Sequence, residues 1–377
     1  MDYQYRRRKV PHRPDREFKL GNGRISGYGS LFLSSMSLLG VLAYRYPAYL
    51  TTKELRAGYD AVFLQEVLKY SMWLAILFGA ITFIINRKKR LGSLGISITL
   101  IAFALGGYNI PLRGVAAQRL SLGMDWLILT FMGSVFIFTV LEKIFPKYRH
   151  QLILRDEWEL DFGYFCFNHL LISAILLFGN FVVAQSQWMM SHDLHSWVQS
   201  MPLAVQVLLL LLCADFVLYW EHRIYHEFPK LWGFHAVHHS VETMDWLAGS
   251  RSHVTTVFIE RTLVMLALYF LGASKVALDI YVAIAALQAI VIHSNLGFSW
   301  GFLKYIIVTP QYHHWHHSSE APAIDTNYAA HTPLFDRLFG TYHLPGKHWP
   351  AEYGTTKKLP KTFIGQFWYP FQNLRSK

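Results

Sequence analysis

Six apolar stretches, at residues 28–44, 61–85, 91–108, 126–145, 164–185 and 202–219, each run close to the roughly 20 residues that cross a hydrocarbon core. Composition agrees: a chain of 377 residues that is 53% hydrophobic and 16% aromatic is too apolar for an ordinary soluble protein. These features define an integral membrane protein, long enough for one large or two modest domains.

The net charge of +11 does not point to nucleic acid, because the lysines and arginines sit in short runs beside apolar segments, where lipid orientation explains them. Residues 1–26 are polar and basic, with Arg6, Arg7, Arg8, Lys9, Arg13, Arg16, Lys19 and Arg24. They read as a cytoplasmic flank followed by a retained span rather than as a cleaved signal peptide. Asn86-Arg87-Lys88-Lys89-Arg90 follows the second span, and Lys147, Arg149 and Arg155 follow the fourth, although Arg113 and Arg119 after the third dilute the pattern. The loop after the fifth, SQWMMSHDLHSWVQS, has no lysine or arginine. Six crossings from a cytoplasmic N-terminus return the chain to the cytoplasm at Glu221. Two weaker signals fall away: Ser26 replaces the third glycine of a G-x-G-x-x-G in GNGRISG, and Cys166 and Cys213 form no disulfide framework or Cys-x-x-Cys pair.

Histidines begin where the sixth span ends. His222 and His226 are spaced H-x-x-x-H, and His235, His238 and His239 are spaced H-x-x-H-H, a spacing repeated by His313, His316 and His317. On a helix, i and i+4 lie about 40° apart, so H-x-x-x-H points two rings the same way. The adjacent pair of H-x-x-H-H is splayed enough to reach two different ions. A single histidine carries no such message, but 11 of the chain's 19 fall between His222 and His317, and imidazole is the commonest protein metal ligand. After His239, apolar residues 254–272 and 276–292 form a hairpin that brings His293 back to the same face. Glu260 and Arg261 in its first arm leave open whether it spans or re-enters.

Eight or more imidazoles exceed the three or four ligands of a zinc ion. A thiol-free, nitrogen-rich site suits iron, copper or zinc, and a pair of irons matches the ligand count. Iron beside lipid makes activation of O2 the natural chemistry. No carboxylate lies between His222 and His226, as it would in H-E-x-x-H, which weakens a zinc-dependent membrane hydrolase without removing it. A metal or haem carrier would place ligands at mid-span along a path, whereas these lie at membrane ends.

Taken in order, HRIYH at 222–226, HAVHHS at 235–240, TPQYHHWHH at 309–317 and NYAAHTPLFDRLFGTY at 327–342 resemble the fatty acid hydroxylase and sterol desaturase superfamily of membrane di-iron oxygenases. The resemblance covers about 160–345; residues 27–150 look like an added four-span region before a histidine-box domain at 151–345 and a cytoplasmic tail at 346–377. It implies an all-helical polytopic enzyme, with about six spans, the hairpin and a cytosolic histidine-rich cap. Such an enzyme uses O2 and electrons to hydroxylate or desaturate a C–H position of a sterol, fatty acyl, sphingolipid or ether lipid.

Position by position, the implied ligands are His222, His226, His235, His238, His239, His313, His316 and His317, with His293 and His253 as candidates to complete the set. One iron takes His222, His235, His238, His313 and His316, and the other takes His226, His239 and His317. His314 is expected not to ligate, and His331 departs from the glycine-rich form of its segment. Carboxylates expected to orient the rings are Glu221, Glu227, Asp245, Asp325 and Asp336. Trp220, Trp232, Trp246, Trp300 and Trp315 read as headgroup-level anchors, and Arg251 and Arg337 as surface cations. Zinc can replace iron in purified protein. With no ferredoxin, flavin or haem signature, the electrons come from a separate donor of cytochrome b5, ferredoxin or reductase type. The membrane is a bacterial inner membrane or the endoplasmic reticulum.

Overall fold

This computed structural model describes residues 21–52, 56, 58–85, 89–111 and 121–375, without the side chains of 173 and 373–375. Arg6, Arg7, Arg8, Lys9, Arg13, Arg16, Lys19, Arg87, Lys88, Arg113 and Arg119 of the charge pattern lie outside the described residues. Within them the fold is all-helical, with no strand beyond isolated bridges. Six helices are long and apolar enough to cross a bilayer, or seven if one bent pair counts as a span. The chain is a polytopic membrane protein.

Two compact units divide it. The first comprises Met1–Pro47, Glu54–Val115 and His150–Arg155 and packs helices α1 (Arg24–Arg45), α2 (Ala61–Ile85) and α3 (Arg90–Ala104). Small residues let these helices close, as membrane helices require where apolar burial gives no drive for association. A Cβ at Gly95 would meet Ser30 Oγ at 2.1 Å, and one at Gly92 would meet the Gly79 carbonyl at 2.6 Å. Ser30 Oγ in turn donates to the Ala75 carbonyl at 2.7 Å. The expected third span, 91–108, is corrected here: α3 has 15 residues, and Gly106, with φ 90°, takes the chain out of the helix.

The second unit, Ala48–Lys53, Ala116–Arg149 and Asp156–Lys377, carries α4 (Met124–Ile144), α5 (Trp158–Leu170), α6 (Ile172–Gln185), α7 (His192–Gln199), α8 (Leu203–Glu227), α9 (Pro229–His239), α10 (Val254–Leu271), α11 (Lys275–His293), α12 (Pro310–His316), α13 (Leu334–Leu338) and α14 (Phe363–Arg375). The expected fifth span is a broken pair bent by 46°, in which the Leu170 carbonyl accepts the Gly123 amide instead of continuing the helix ladder. Helices α8, α10 and α11 share a core of Leu210, Ala214, Val264, Leu268, Ala277 and Tyr281. The α10–α11 turn is built from Gly272 at φ 68°, with the Ser274 amide donating to Gln206 Oε1 of α8 at 2.9 Å. At the other end Glu142 of α4 accepts the amides of Trp246 at 2.7 Å and Asn295 at 2.8 Å.

Helix α8 does not stop at residue 219 as the hydropathy suggests. It continues through Glu227, because HRIYHE contains no breaker and Pro229 is the first residue that forces a stop. His222 and His226 therefore ride on the end of a spanning helix. His293 is the last residue of α11, so α8 and the hairpin deliver their histidines at helix ends.

Candidate metal centre

Each histidine is placed by a local rule. Phe228 is extended at φ −102° and ψ 110°, and Pro229 starts α9 at its first turn, so the chain folds back at once and α9 delivers its last turn, His235 to His239, against His222 and His226. Helix α12 is capped by Thr309, whose Oγ1 accepts the Tyr312 amide, with Pro310 in its first turn.

Nine rings gather in two adjoining sets. His222, His226, His235, His239 and His316 form one, and His238, His293, His313 and His317 the other; within each set the candidate ligand atoms lie within 4.8 Å of one another. The sets abut, with His239 and His317 stacked at 4.6 Å between ring centroids and His235 and His238 at 5.4 Å. The four-histidine set is entirely buried, while His222, His226 and His235 of the other keep some exposure as residues, although the His226 side chain is only 5% exposed.

This grouping corrects the expected partition. In each H-x-x-H-H box the i and i+4 rings, His235 with His239 and His313 with His317, join one set, and the i+3 ring, His238 or His316, crosses to the other. On a helix i+4 sits about 40° to one side of i and i+3 about 60° to the other, so the two boxes exchange one ring each.

The ring orientations are fixed from behind. His222 Nδ1 donates to the Tyr328 carbonyl at 2.7 Å, His316 Nδ1 to the Thr326 carbonyl at 2.8 Å and His226 Nδ1 to the Asp325 carboxylate at 3.1 Å. In the other set His238 Nδ1 donates to the Arg251 carbonyl at 3.0 Å and His293 Nδ1 to the Ala289 carbonyl at 2.7 Å. With the proton on Nδ1, Nε2 carries a lone pair. His238 Nε2 and His293 Nε2 therefore face each other at 3.2 Å as two acceptors, which repel unless a cation lies between them. A proton is a poor cation here, since burial pushes the His238 pKa down to about 4. Burial, with neighbouring imidazoles adding to it, also holds His235, His239, His313, His316 and His317 well below the ordinary histidine range. His316 Nε2 is buried with no partner. Convergent neutral nitrogens, no thiol and unsatisfied lone pairs fit a pair of borderline transition-metal ions.

His253 is not part of either set. Its Nδ1 accepts the Thr255 amide at 3.2 Å as the N-cap of α10, and Nε2–H donates to the Phe367 carbonyl of α14 at 3.0 Å, so both ring nitrogens are engaged. His314 is buried with Nε2–H on the carbonyls of His293 and Ser294, at 3.3 and 3.1 Å, and Nδ1 accepting the Tyr353 hydroxyl; it secures the end of α11.

Of the five carboxylates expected behind the rings, only Asp325 reaches one. Glu227 pairs with Arg223, and Asp245 caps the amides of Leu247 and Ala248. Glu221 bonds to no ring. Asp336 acts one step back: it accepts the amides of Tyr328 and Ala329 and the hydroxyls of Tyr312 and Thr341, all at 2.7 to 2.9 Å. Trp246 and Trp315 are buried rather than anchoring at a surface. Arg251, expected on the surface, is wholly buried and ion-paired with Glu157 at 2.9 Å and with Asp161. Backbone carbonyls do most of the ring orientation, and a carbonyl has no sequence signature.

The region that holds both sets is where the chain matches known proteins. Residues 207–341 match the model of the fatty acid hydroxylase family, and the chain belongs to that family. It is 32% identical over 260 residues to an ornithine lipid hydroxylase of Rhizobium tropici, covering 68% of this chain and 78% of that one. The alkylglycerol monooxygenase of Homo sapiens is 30% identical over 145 residues, 38% of this chain and 32% of its own length. Methylsterol monooxygenase 1-2 of Arabidopsis thaliana is 23% identical over 206 residues, 52% and 67% of the two chains. No solved structure matches.

Proposed function

We propose that the protein is an O2-dependent membrane oxygenase that hydroxylates a lipid at a di-iron centre. The observation that carries this reading is the pair of opposed Nε2 lone pairs on His238 and His293 inside a cage of nine imidazoles. Hydroxylation is favoured over desaturation because the relatives are named hydroxylases and monooxygenases. The thiol-free ligand set and the interlocked rings favour this over a zinc hydrolase.

His222, His226, His235, His239 and His316 would hold one ion, and His238, His293, His313 and His317 the other. When bound, the two irons supply the activation of O2 and the oxidising power that a C–H bond requires. The chain's own work is to hold the rings neutral and correctly turned. Asp325 and the carbonyls of Thr326, Tyr328, Arg251 and Ala289 do this by accepting each Nδ1 proton. Burial of the four-histidine set excludes water on that side, and the other set, whose residues are the less deeply buried, is the side from which substrate and O2 approach. The lipid chain reaches the cage along the spanning parts of α8, α10 and α11.

The cage lies at the cytosolic face, a placement supported by Lys143, Lys147 and Arg149 at the end of α4, where Glu142 holds the Trp246 and Asn295 amides beside the cage, and not by the six-crossing count, which the short α3 breaks. A separate protein delivers the electrons, and the basic balance of the chain suits an acidic donor; turnover indifferent to salt would remove that last point. The test is lipid mass spectrometry of cells with and without the gene under oxygen-18. A lipid that gains one labelled oxygen only when the protein is present supports the reading. Activity that persists without O2, with a single zinc per chain, would replace it with hydrolysis.

A further inference from the structure

His331 is the one histidine of the NYAAHTP segment and belongs to neither metal set. Gln288 Nε2 donates to the carbonyls of Val308 at 3.3 Å and His331 at 3.0 Å, which leaves Gln288 Oε1 as the acceptor for His331 Nδ1–H at 2.8 Å. The tautomer is thereby set: the lone pair is on Nε2. That atom is buried with no hydrogen-bond partner, in a residue that is 5% exposed. Burial, reinforced by the Arg261 cation, pushes its pKa down to about 4, so the ring is a neutral acceptor.

The backbone beneath it is pinned from two sides. Asp215 of α8 accepts the amides of Ala330, His331 and Thr332, at 2.8, 2.7 and 2.9 Å, and the Thr332 hydroxyl at 3.1 Å. The His331 carbonyl accepts the Val308 amide at 2.9 Å. The Tyr281 ring on α11 stands nearly perpendicular to it, with 5.8 Å between ring centroids. Gln288 precedes His293 by five residues and Asp215 precedes His222 by seven. At 1.5 Å per residue the ring sits about 7–10 Å from the cage, toward the membrane-spanning part of both helices. What sets this acceptor apart from other buried polar atoms is that its tautomer and its backbone are both fixed, so its lone pair has one direction in which to receive a donor.

We propose that His331 Nε2 is the recognition point for a hydrogen-bond donor on the lipid substrate, an amide N–H or a hydroxyl about 7–10 Å from the carbon presented to the cage. The inference rests on the lipid oxygenase reading, and it names the substrate class: lipids with a buried donor near the oxidised position, in preference to lipids with esters alone.

Binding tests it without turnover, so a failure of the oxygenase reading leaves the result readable. The full-length protein in nanodiscs is titrated with three length-matched probes: N-hexadecylacetamide, hexadecanol and hexadecyl acetate. The amide or the alcohol binds about tenfold more tightly than the ester, the effect of one buried hydrogen bond, and the better of the two identifies the donor. His331→Phe abolishes the preference, and His331→Gln, which keeps a carbonyl acceptor, retains it. Should His331→Phe fail to fold, the nitrogen-15 signal of His331 in the labelled wild type reports the same contact, moving with the donor probe and not with the ester. Equal binding of the three probes, or a preference that survives in His331→Phe, overturns the assignment.

Discussion

Replacing Asp336 by Asn should remove one metal ion and spare the other. Asp336 Oδ1 accepts the Tyr328 amide and the Thr341 hydroxyl, and Oδ2 accepts the Ala329 amide and the Tyr312 hydroxyl. Whichever oxygen becomes an NH2, one hydroxyl can rotate to accept from it, but one backbone amide is left facing a donor. An orphaned buried amide costs about 1–3 kcal/mol, and loss of charge assistance on the remaining bonds brings the total to about 2–4 kcal/mol. The strain falls on residues 325–328, which supply Asp325, the Thr326 carbonyl and the Tyr328 carbonyl behind His226, His316 and His222. All three rings belong to the five-histidine set. In the other set the carbonyls behind His238 and His293 belong to Arg251 and Ala289, and α12, which carries His313 and leads into His317, keeps its Tyr312 hydroxyl bond to residue 336 in either orientation of the amide. Affinity for one ion should therefore drop roughly 10- to 100-fold, the usual effect of losing outer support. The assay is metal per chain by plasma mass spectrometry after dialysis against graded chelator, alongside thermal unfolding in detergent. The reasoning is refuted if both ions leave together, or if unfolding shifts while both stay.

Further outcomes follow from the same geometry. His253→Asn, which keeps a cap for α10, should leave metal content unchanged and lower stability by only about 1 kcal/mol; loss of an ion would restore His253 as a ligand. Arg251→Met breaks a buried ion pair and should cost about 3–5 kcal/mol, with chelator sensitivity appearing first in the His238 set, read by the same metal analysis. His238 and His314 have folded pKa values of about 4, below the ordinary 6.5, so the unfolded chain takes up protons first. Metal-stripped protein should thus keep its full stability above about pH 6.5 and lose it progressively down to about 4. A flat thermal profile across that range would contradict the buried neutral rings.

Much of the site is legible in the sequence because ligand spacing on a helix is a local property. The H-x-x-H-H boxes announce that His238 and His239 diverge, and so do His316 and His317. Which ring of one box meets which of another is a tertiary fact, so the partition has no local signature. His293 is readable from its place at the end of a returning apolar arm. His253 misleads because a capping imidazole and a ligating one look alike in sequence. The spans are recovered wherever apolar length decides them, but the end of α8 is not, since hydropathy falls at Tyr219 while nothing breaks the helix before Pro229. The polar look of the last residues likewise hides α14, which forms against α9 at the Gly233–Pro370 approach. Arg251 reads as a surface cation because its partners Glu157 and Asp161 lie about 90 residues away.

The two sets differ in how far apart along the chain their members arise. Four of the five rings of one come from α8 and α9, consecutive helices joined at Phe228, and can assemble as soon as that corner emerges during synthesis. The other draws on α9, α11 and α12, so it does not exist until the α10–α11 hairpin has entered the bilayer and come back. A metal ion captured there would register that insertion is complete, acting as a late clasp on the membrane topology.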